Sequence, residues 1–277
     1  MTDTAAQGAA SDPRSSLQGL VALDIDGTVL LEDETLSPGV VEAIVRAAEA
    51  GHEVMLATGR SWGGTEWVMN ALGMAPRFVV CSNGAVVMQR VGDAYERFHT
   101  ETFDAREVLE LLVLHLPDAH YMVELPDGHR LYTEHLDHWN LTNATHVPFD
   151  ELSANPVCRV VVVAPGQTDE EFMELVDRIG LHHVSYAIGW TAWLDIAPLG
   201  VDKSTALELV RAELGVEGSR VITMGDGRND LGMFAWVREH GGRAIAMAQA
   251  PQEVRDAATE VTASVHEGGV ADILHAL

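Results

Sequence analysis

Short apolar runs, each closed by an acidic or hydroxyl-bearing loop, alternate along this chain with segments of helical periodicity. Leu20-Val21-Ala22-Leu23 is the first such run. Unbroken apolar character of this kind marks a strand covered on both faces. Ser37-Pro38 then opens a helix whose apolar positions include Val41, Ile44 and Val45 and which stops at Gly51. A second strand, Val54 to Ala57, leads into Thr58-Gly59-Arg60 and another helix. A third, Phe78 to Cys81, ends in Ser82-Asn83-Gly84. Strand, helix, strand, helix, strand predicts an α/β fold: a parallel sheet with covering helices.

The pattern changes between residues 88 and 196. Alternating runs, Ala119 to Leu125 and Arg130 to Thr133, flank Pro126-Asp127-Gly128 and predict a hairpin. Helical stretches near Ala105 to His115 and Asp169 to Ile179 lie on either side of the apolar strand Val160 to Ala164. Nine of the thirteen histidines fall here too, so the composition shifts with the pattern. This reads as a separate α+β unit inserted into the first domain. From about Ala197 the parallel pattern resumes, with a helix over Lys203 to Leu214 and a strand over Val221 to Met224 that ends at Gly225-Asp226. A further helix, the strand Ala244 to Met247 and two short helices follow. The expected division is a loose tail over 1–16, a core built from 17–87 and 197–277, and an insertion over 88–196.

Composition narrows the function. With 277 residues, 47% of them hydrophobic, the chain can bury a sizeable core. A formal net charge of −25 disfavours nucleic acid and anionic membranes as partners. Any anionic substrate would be repelled by the same charge unless a few fixed cations reversed the field locally. Met1 to Ser16 lacks the basic start and apolar centre of a secretory signal, and no apolar run is long enough to span a bilayer. The cytosol is the expected location. Cys81 and Cys158 sit in or beside strand-like runs and read as core residues rather than a disulfide framework.

Two buried-type strands, far apart in the chain, end in acidic clusters: Asp24-Ile25-Asp26-Gly27-Thr28 and Gly225-Asp226-Gly227-Arg228-Asn229-Asp230. Ligands of open parallel sheets bind beyond the carboxyl ends of the strands, where strand order reverses. If the two strands are neighbours, Asp24, Asp26, Asp226 and Asp230 converge there. Such a cluster needs a cation or retained protons. Oxygen-only ligation favours Mg²⁺ over Zn²⁺. Asp24 and Asp26, two apart, can address one substrate, one carboxylate attacking while the other handles protons. Thr28 can brace the turn or donate to phosphate. Thr58 and Gly59 open a helix, a natural anion site, although Thr58 also suits a plain helix cap. Lys203 heads its own helix and can place a positive charge on the same phosphate, or can be a solvated helix start.

These segments, with Ala57-Thr58-Gly59-Arg60 and Val201-Asp202-Lys203, resemble the four ordered motifs of the haloacid dehalogenase superfamily. Ser82-Asn83-Gly84-Ala85, Leu194-Asp195-Ile196 with Pro198, Ala246-Met247 and Gly268-Gly269-Val270 are similar to its Cof-type (class IIB) phosphatase branch. The resemblance covers about Leu20 to the C-terminus and is weak across the middle. It implies a Rossmann-like core with a large α/β cap inserted between the second and third motifs. It also implies Asp24 as nucleophile and Asp26 as general acid and later base. Mg²⁺ would be held by Asp24, the backbone carbonyl of Asp26 and Asp226, with Asp230 in support. Thr58, Gly59, Lys203 and Asn229 would bind the phosphoryl group. Two positions depart from the branch: Gln249 stands where Asn is usual, and Gly232 where a bulkier residue or proline is common.

The expected activity is Mg²⁺-dependent hydrolysis of a small phosphorylated metabolite, a sugar phosphate being the favoured class, by a monomer or small homo-oligomer. The alternatives are a sugar-phosphate mutase and a non-enzymatic metal-binding regulatory module. His135 and His138, three apart, read as surface or packing residues before metal ligands, and Trp190 and Trp193 as core.

Overall fold

The computed structural model describes residues 17–135, 141–165, 168–181, 184–188 and 193–277. The expected tail, His138 and Trp190 lie outside them. In chain order the first elements are β1 (Gly19–Leu23), α1 (Val40–Glu49), β2 (His52–Leu56), α2 (Trp62–Ala71), β3 (Phe78–Cys81), β4 (Val86–Val91) and β5 (Ala94–Thr100). Next come α3 (Arg106–His115), β6 (His120–Glu124), β7 (Arg130–Tyr132), β8 (Ala144–His146), β9 (Arg159–Val163), α4 (Asp169–Ile179), β10 (Val184–Ile188) and β11 (Trp193–Pro198). The last are α5 (Lys203–Leu214), β12 (Val221–Gly225), α6 (Leu231–Glu239), β13 (Arg243–Ala246), α7 (Gln252–Ala257), β14 (Glu260–Val261) and α8 (Gly269–His275).

Five strands form one wholly parallel sheet in the order β14-β13-β12-β1-β2. The parallel bridge Ala57↔Val80 continues it towards β3. Alternation along each strand feeds two apolar layers. Val21 and Leu23 point into the layer closed by Val40, Ile44 and Val68 of α1 and α2 and by Val270 and Leu274 of α8. Leu20 and Ala22 point into the opposite one, closed by Leu207 and Val210 of α5 and by Met233 and Phe234 of α6. With helices on both faces, every central strand is dry on both sides, which is why it reads as an unbroken apolar run.

Strand order reverses beside β1. The chain steps outward to β2 and β3 on one side, and the later strands step outward from β12 on the other. The crevice at this reversal lies beyond the ends of β1 and β12, whose next residues are Asp24 and Asp226.

A six-stranded sheet, β10-β11-β9-β6-β7-β8, is antiparallel except for the β7–β8 pair. One face packs under α3 and α4 through Tyr121, Val123, Val160, Val162, Leu194 and Ile196. The alternate positions carry Met122, Val161 and a half-buried Trp193, then the buried polar residues Glu124, Arg159 and Asp195. Sequence patterning does not foresee the hairpin β4–β5, which pairs through β4 with β3. Residue 88 lies inside β4, and the apolar cluster of the six-stranded sheet begins at Ala105.

Cys81 and Cys158 are buried free thiols. Burial pushes the Cys81 thiol up to about 12 and raises that of Cys158 as well, so neither is primed as a nucleophile. Among the described residues, no helix is long and apolar enough to cross a membrane.

Candidate active site

Backbone pairing holds the strand-end loops in place. The Asp24 N–H donates to the Met224 carbonyl at 2.9 Å, and Ala57 N–H donates to Leu23 at 2.8 Å. The Thr58-Gly59-Arg60 turn is strapped by the next loop, where Ser82 N–H donates to Arg60 O and Asn83 N–H to Thr58 O. Ser82, Asn83 and Gly84 all adopt positive φ, at 50°, 49° and 99°. Gly84 has no alternative, because a Cβ there would lie 2.0 Å from the Asp202 carbonyl. Gly27 is similarly fixed: its φ is 72°, and a Cβ would lie 2.1 Å from Asp226 Oδ2.

Lys203 occupies the centre. It opens α5 behind a capping box in which the Asp202 carboxylate accepts from Ser204 N–H and Thr205 N–H. Its side chain is wholly buried, which rules out the solvated helix start. The Nζ donates to Asp24 Oδ1 and to Asp230 Oδ1, each at 2.6 Å. Asp230 is further held by a 2.9 Å hydrogen bond from Gly227 N–H to its Oδ2. Asp24, Asp226 and Asp230 bring carboxylate oxygens within 4.8 Å of one another, all three side chains being buried.

One ammonium for three buried carboxylates leaves an excess of negative charge. Burial, which outweighs the attraction of Lys203, holds the Asp24 carboxyl well above the usual range. Burial and then the Asp230 charge push Asp226 up to about 7. For Lys203 the two carboxylates overcome burial and raise the ammonium above its ordinary value. A cluster of oxygen donors that resists full ionisation fits a hard divalent cation, which would relieve the excess.

Asp26 does not join the cluster. Its half-exposed carboxylate is forked by Arg60, which donates from Nε at 2.9 Å and from its terminal nitrogen at 2.5 Å. The same Arg60 nitrogen reaches Glu34 at 3.3 Å. Thr58 is buried, and its hydroxyl accepts from Arg60 N–H at 3.1 Å. Asn229 Nδ2 donates to Asn83 Oδ1 at 3.1 Å, and a Cβ on Gly59 would lie 3.2 Å from the same Asn83 carboxamide. The structure thus gathers Asp24, Lys203, Asp226 and Asp230 in one cluster, and Gly59 and Asn229 around Asn83. Among the described residues the buried Thr28 hydroxyl has no hydrogen-bond partner.

Both departures from the family pattern act at this site. Gln249 Nε2 donates to the Gly27 carbonyl at 2.6 Å and to Asp226 Oδ2 at 3.3 Å, while its carbonyl accepts from Val265 N–H. The longer amide bridges the two acidic loops, a contact that sequence spacing does not reveal. At Gly232 a Cβ would lie 2.1 Å from Asp202 Oδ2, so the missing side chain makes room for the capping carboxylate of α5. Beside Asn229 a cavity of about 120 Å³ is lined by Asn83, Arg228 and Asn229 and, from the six-stranded sheet, by Ser185, Tyr186 and Asp195.

Residues 21–274 match the family described as haloacid dehalogenase-like hydrolase. The chain belongs to that family. It is a phosphoric monoester hydrolase, in keeping with the relatives it matches over nearly their whole length. It is 28% identical over 276 residues to the 5-amino-6-(5-phospho-D-ribitylamino)uracil phosphatase of Bacillus subtilis, covering 92% of this chain and 96% of that one. It is 30% identical over 254 residues to the phosphoglycolate phosphatase of Natronomonas pharaonis, covering 92% and 95%. A solved haloacid dehalogenase-like hydrolase from B. subtilis superposes with a TM-score of 0.78 at 20% identity, over 94% of this chain and 99% of that one.

Proposed function

We propose that this protein hydrolyses a small phosphorylated metabolite of the sugar-phosphate class through a phosphoryl-enzyme formed on Asp24. The observation that carries the reading is the wholly buried Lys203 ammonium bound to Asp24 and Asp230, beside Asp226, at the point of strand reversal. It fixes one carboxylate rotamer and leaves the other Asp24 oxygen for attack in line with the leaving group. In the first half-reaction an Asp24 oxygen bonds to phosphorus, the ester P–O bond breaks, and Asp26 gives its proton to the departing oxygen. In the second, Asp26 takes a proton from water, water oxygen attacks phosphorus, and the P–O bond to Asp24 breaks to release orthophosphate. Thr58, Gly59, Lys203 and Asn229 hold the phosphoryl oxygens, and charge neutralisation with positioning supplies most of the rate.

Asp24, the backbone carbonyl of Asp26 and Asp226 would hold Mg²⁺, with Asp230 supporting. The ion would offset the charge of the carboxylates and of the transferred group. The segment 88–196 acts as the unit that meets the leaving group. Ser185, Asp195, Arg228 and Asn229 offer hydrogen-bonding groups to a polyol leaving group in the cavity, beside the apolar surface of Ala197 and Val201.

The direct test is phosphate release from a panel of phosphorylated metabolites, with product analysis to separate hydrolysis from isomerisation. Chelation should abolish turnover, and Zn²⁺ should not restore it fully. Undiminished release in a chelator would sink the metal assignment.

A second expectation concerns stability. The folded pKa of Asp226 is raised to about 7, so its contribution to stability is fully present below its unfolded value of about 3.9 and is lost as pH rises through 7. The raised Asp24 acts in the same direction. Metal-free protein should therefore melt at progressively lower temperature between about pH 4 and pH 7, apart from unrelated acid effects, and Mg²⁺ should flatten that decline. Melting curves recorded in chelator and in Mg²⁺ across this range check it; identical slopes would argue against a metal at Asp226.

A further inference from the structure

A line of polar contacts runs from the six-stranded sheet into the phosphate side of the site. Arg159 and Asp195, on neighbouring strands β9 and β11, are both buried and form a two-pronged ion pair. Arg159 Nε donates to Asp195 Oδ1 at 2.6 Å and its terminal nitrogen donates to Oδ2 at 2.7 Å. The same Oδ2 accepts from Asn83 Nδ2 at 3.0 Å, and Asn83 Oδ1 accepts from Asn229 Nδ2 at 3.1 Å.

Chemistry fixes the polarity of this line. A guanidinium only donates, and the carboxylate paired with it only accepts. Asn83 must therefore turn its NH₂ group to Asp195 and its oxygen to Asn229, and Asn229 must answer with an NH₂ group. Each carboxamide by itself could sit either way round at little cost. Its oxygen thus committed away from Asn83, Asn229 keeps a second N–H with no partner among the described residues. The loop that presents Asn83 is held in three consecutive left-handed residues, a conformation that persists only where the surroundings impose it. We propose that Asp195, acting through Asn83, is a positioning residue that fixes which end of the Asn229 carboxamide faces the phosphoryl group. The proposal rests on the reading of Asn229 as a phosphate-binding residue.

The test uses the full-length, Mg²⁺-loaded enzyme, with an aryl phosphate as substrate and orthophosphate as inhibitor. Asn83→Gly removes the carboxamide, suits a residue at φ 49°, and leaves the Arg159–Asp195 pair intact. It should raise KM and the orthophosphate inhibition constant together by about tenfold, the size expected for a hydrogen bond to a charged group. The effect on kcat should be smaller. Asp195→Asn, which keeps shape but frees the line to reverse, should do the same and serves if the glycine variant does not fold. In an Asn229→Ala background neither change should alter the inhibition constant further. A folded Asn83→Gly enzyme with unchanged orthophosphate inhibition, or one whose effect adds in full to that of Asn229→Ala, overturns the relay. Should Asn229→Ala itself leave inhibition unchanged, the phosphate-binding reading of Asn229 falls, and the relay with it.

Discussion

Asp24→Asn should abolish turnover, whereas Asp26→Asn should leave a slow enzyme that accumulates phosphoryl-protein. The first change keeps size and shape but replaces the oxygen anion proposed to attack phosphorus with an amide, so no phosphoryl-enzyme should form. It also removes one of the two carboxylates that neutralise buried Lys203, leaving Asp230 as its partner. Asp26→Asn keeps the nucleophile and the backbone carbonyl assigned to the metal. It loses proton transfer, worth about 10²–10⁴-fold in rate. An aryl phosphate, whose leaving group needs little protonation, should suffer less in the first half-reaction. In the proposed mechanism dephosphorylation still needs Asp26 as base, so the intermediate should decay slowly. Because Arg60 is bound to Asp26 in this structure, the wild-type side chain must leave or share that fork as it takes up a proton. Mass spectrometry of acid-quenched protein should find the phosphoryl group on the peptide containing Asp24. An adduct on any other residue, or a fully active Asp24→Asn enzyme, would overturn the mechanism.

The second large effect is expected at Lys203. Lys203→Met preserves length and packing but strands Asp24 and Asp230, both buried, without their shared cation. Removing one partner from a buried ionic group costs about 3–5 kcal/mol at neutral pH, a large share of the stability of a domain. The loss should depend on pH. Without Lys203 the carboxyl of Asp24 is raised further, and a carboxyl raised in the folded state stabilises below its unfolded pKa of about 3.9 and loses that contribution as pH rises. The deficit of Lys203→Met relative to wild type should therefore shrink as pH falls towards 5. Denaturant titrations of both proteins at several pH values measure it. A deficit constant with pH would mean that lost packing, not stranded charge, sets the cost. Activity should fall as well, because the ammonium that orients Asp24 is gone.

The parallel core was legible because its signals are local. Strands covered on both faces are apolar throughout, and loops that follow them expose their acidic and hydroxyl residues. The helix Lys203–Leu214 was predicted to its ends because Asp202 and Thr205 cap one end and left-handed Gly215 the other. Less of the six-stranded sheet could be read. Its strands mix apolar residues with buried Glu124, Arg159 and Asp195, and β8 is short and largely exposed. The hairpin β4–β5 was missed for a related reason, since β5 is only half-buried and carries polar residues at most positions. Strand-end logic alone grouped Asp24, Asp26, Asp226 and Asp230, of which all but Asp26 meet. The fork of Arg60 on Asp26, the bridge made by Gln249 and the line from Asp195 to Asn229 could not be read from it. Each depends on residues 23 to 222 positions apart meeting across the crevice, and spacing carries no record of such meetings.

The central strand of the parallel sheet has partners of very different origin. Its pairing with β2 closes over some 30 residues, whereas Leu20 pairs with Val221 only after about 200 more have been made. At roughly 5–20 residues per second, a growing chain carries one unpaired edge of an apolar strand for about 10–40 s. During that interval the six-stranded sheet can fold on local contacts, while the older half of the catalytic apparatus waits incomplete. Asp24 gains its buried surroundings, and the unpaired edge is sealed, in the same late docking event. Ribosome-bound chains truncated before β12 should thus expose an aggregation-prone edge, and acquisition of activity should report the last long-range step of folding rather than the first collapse.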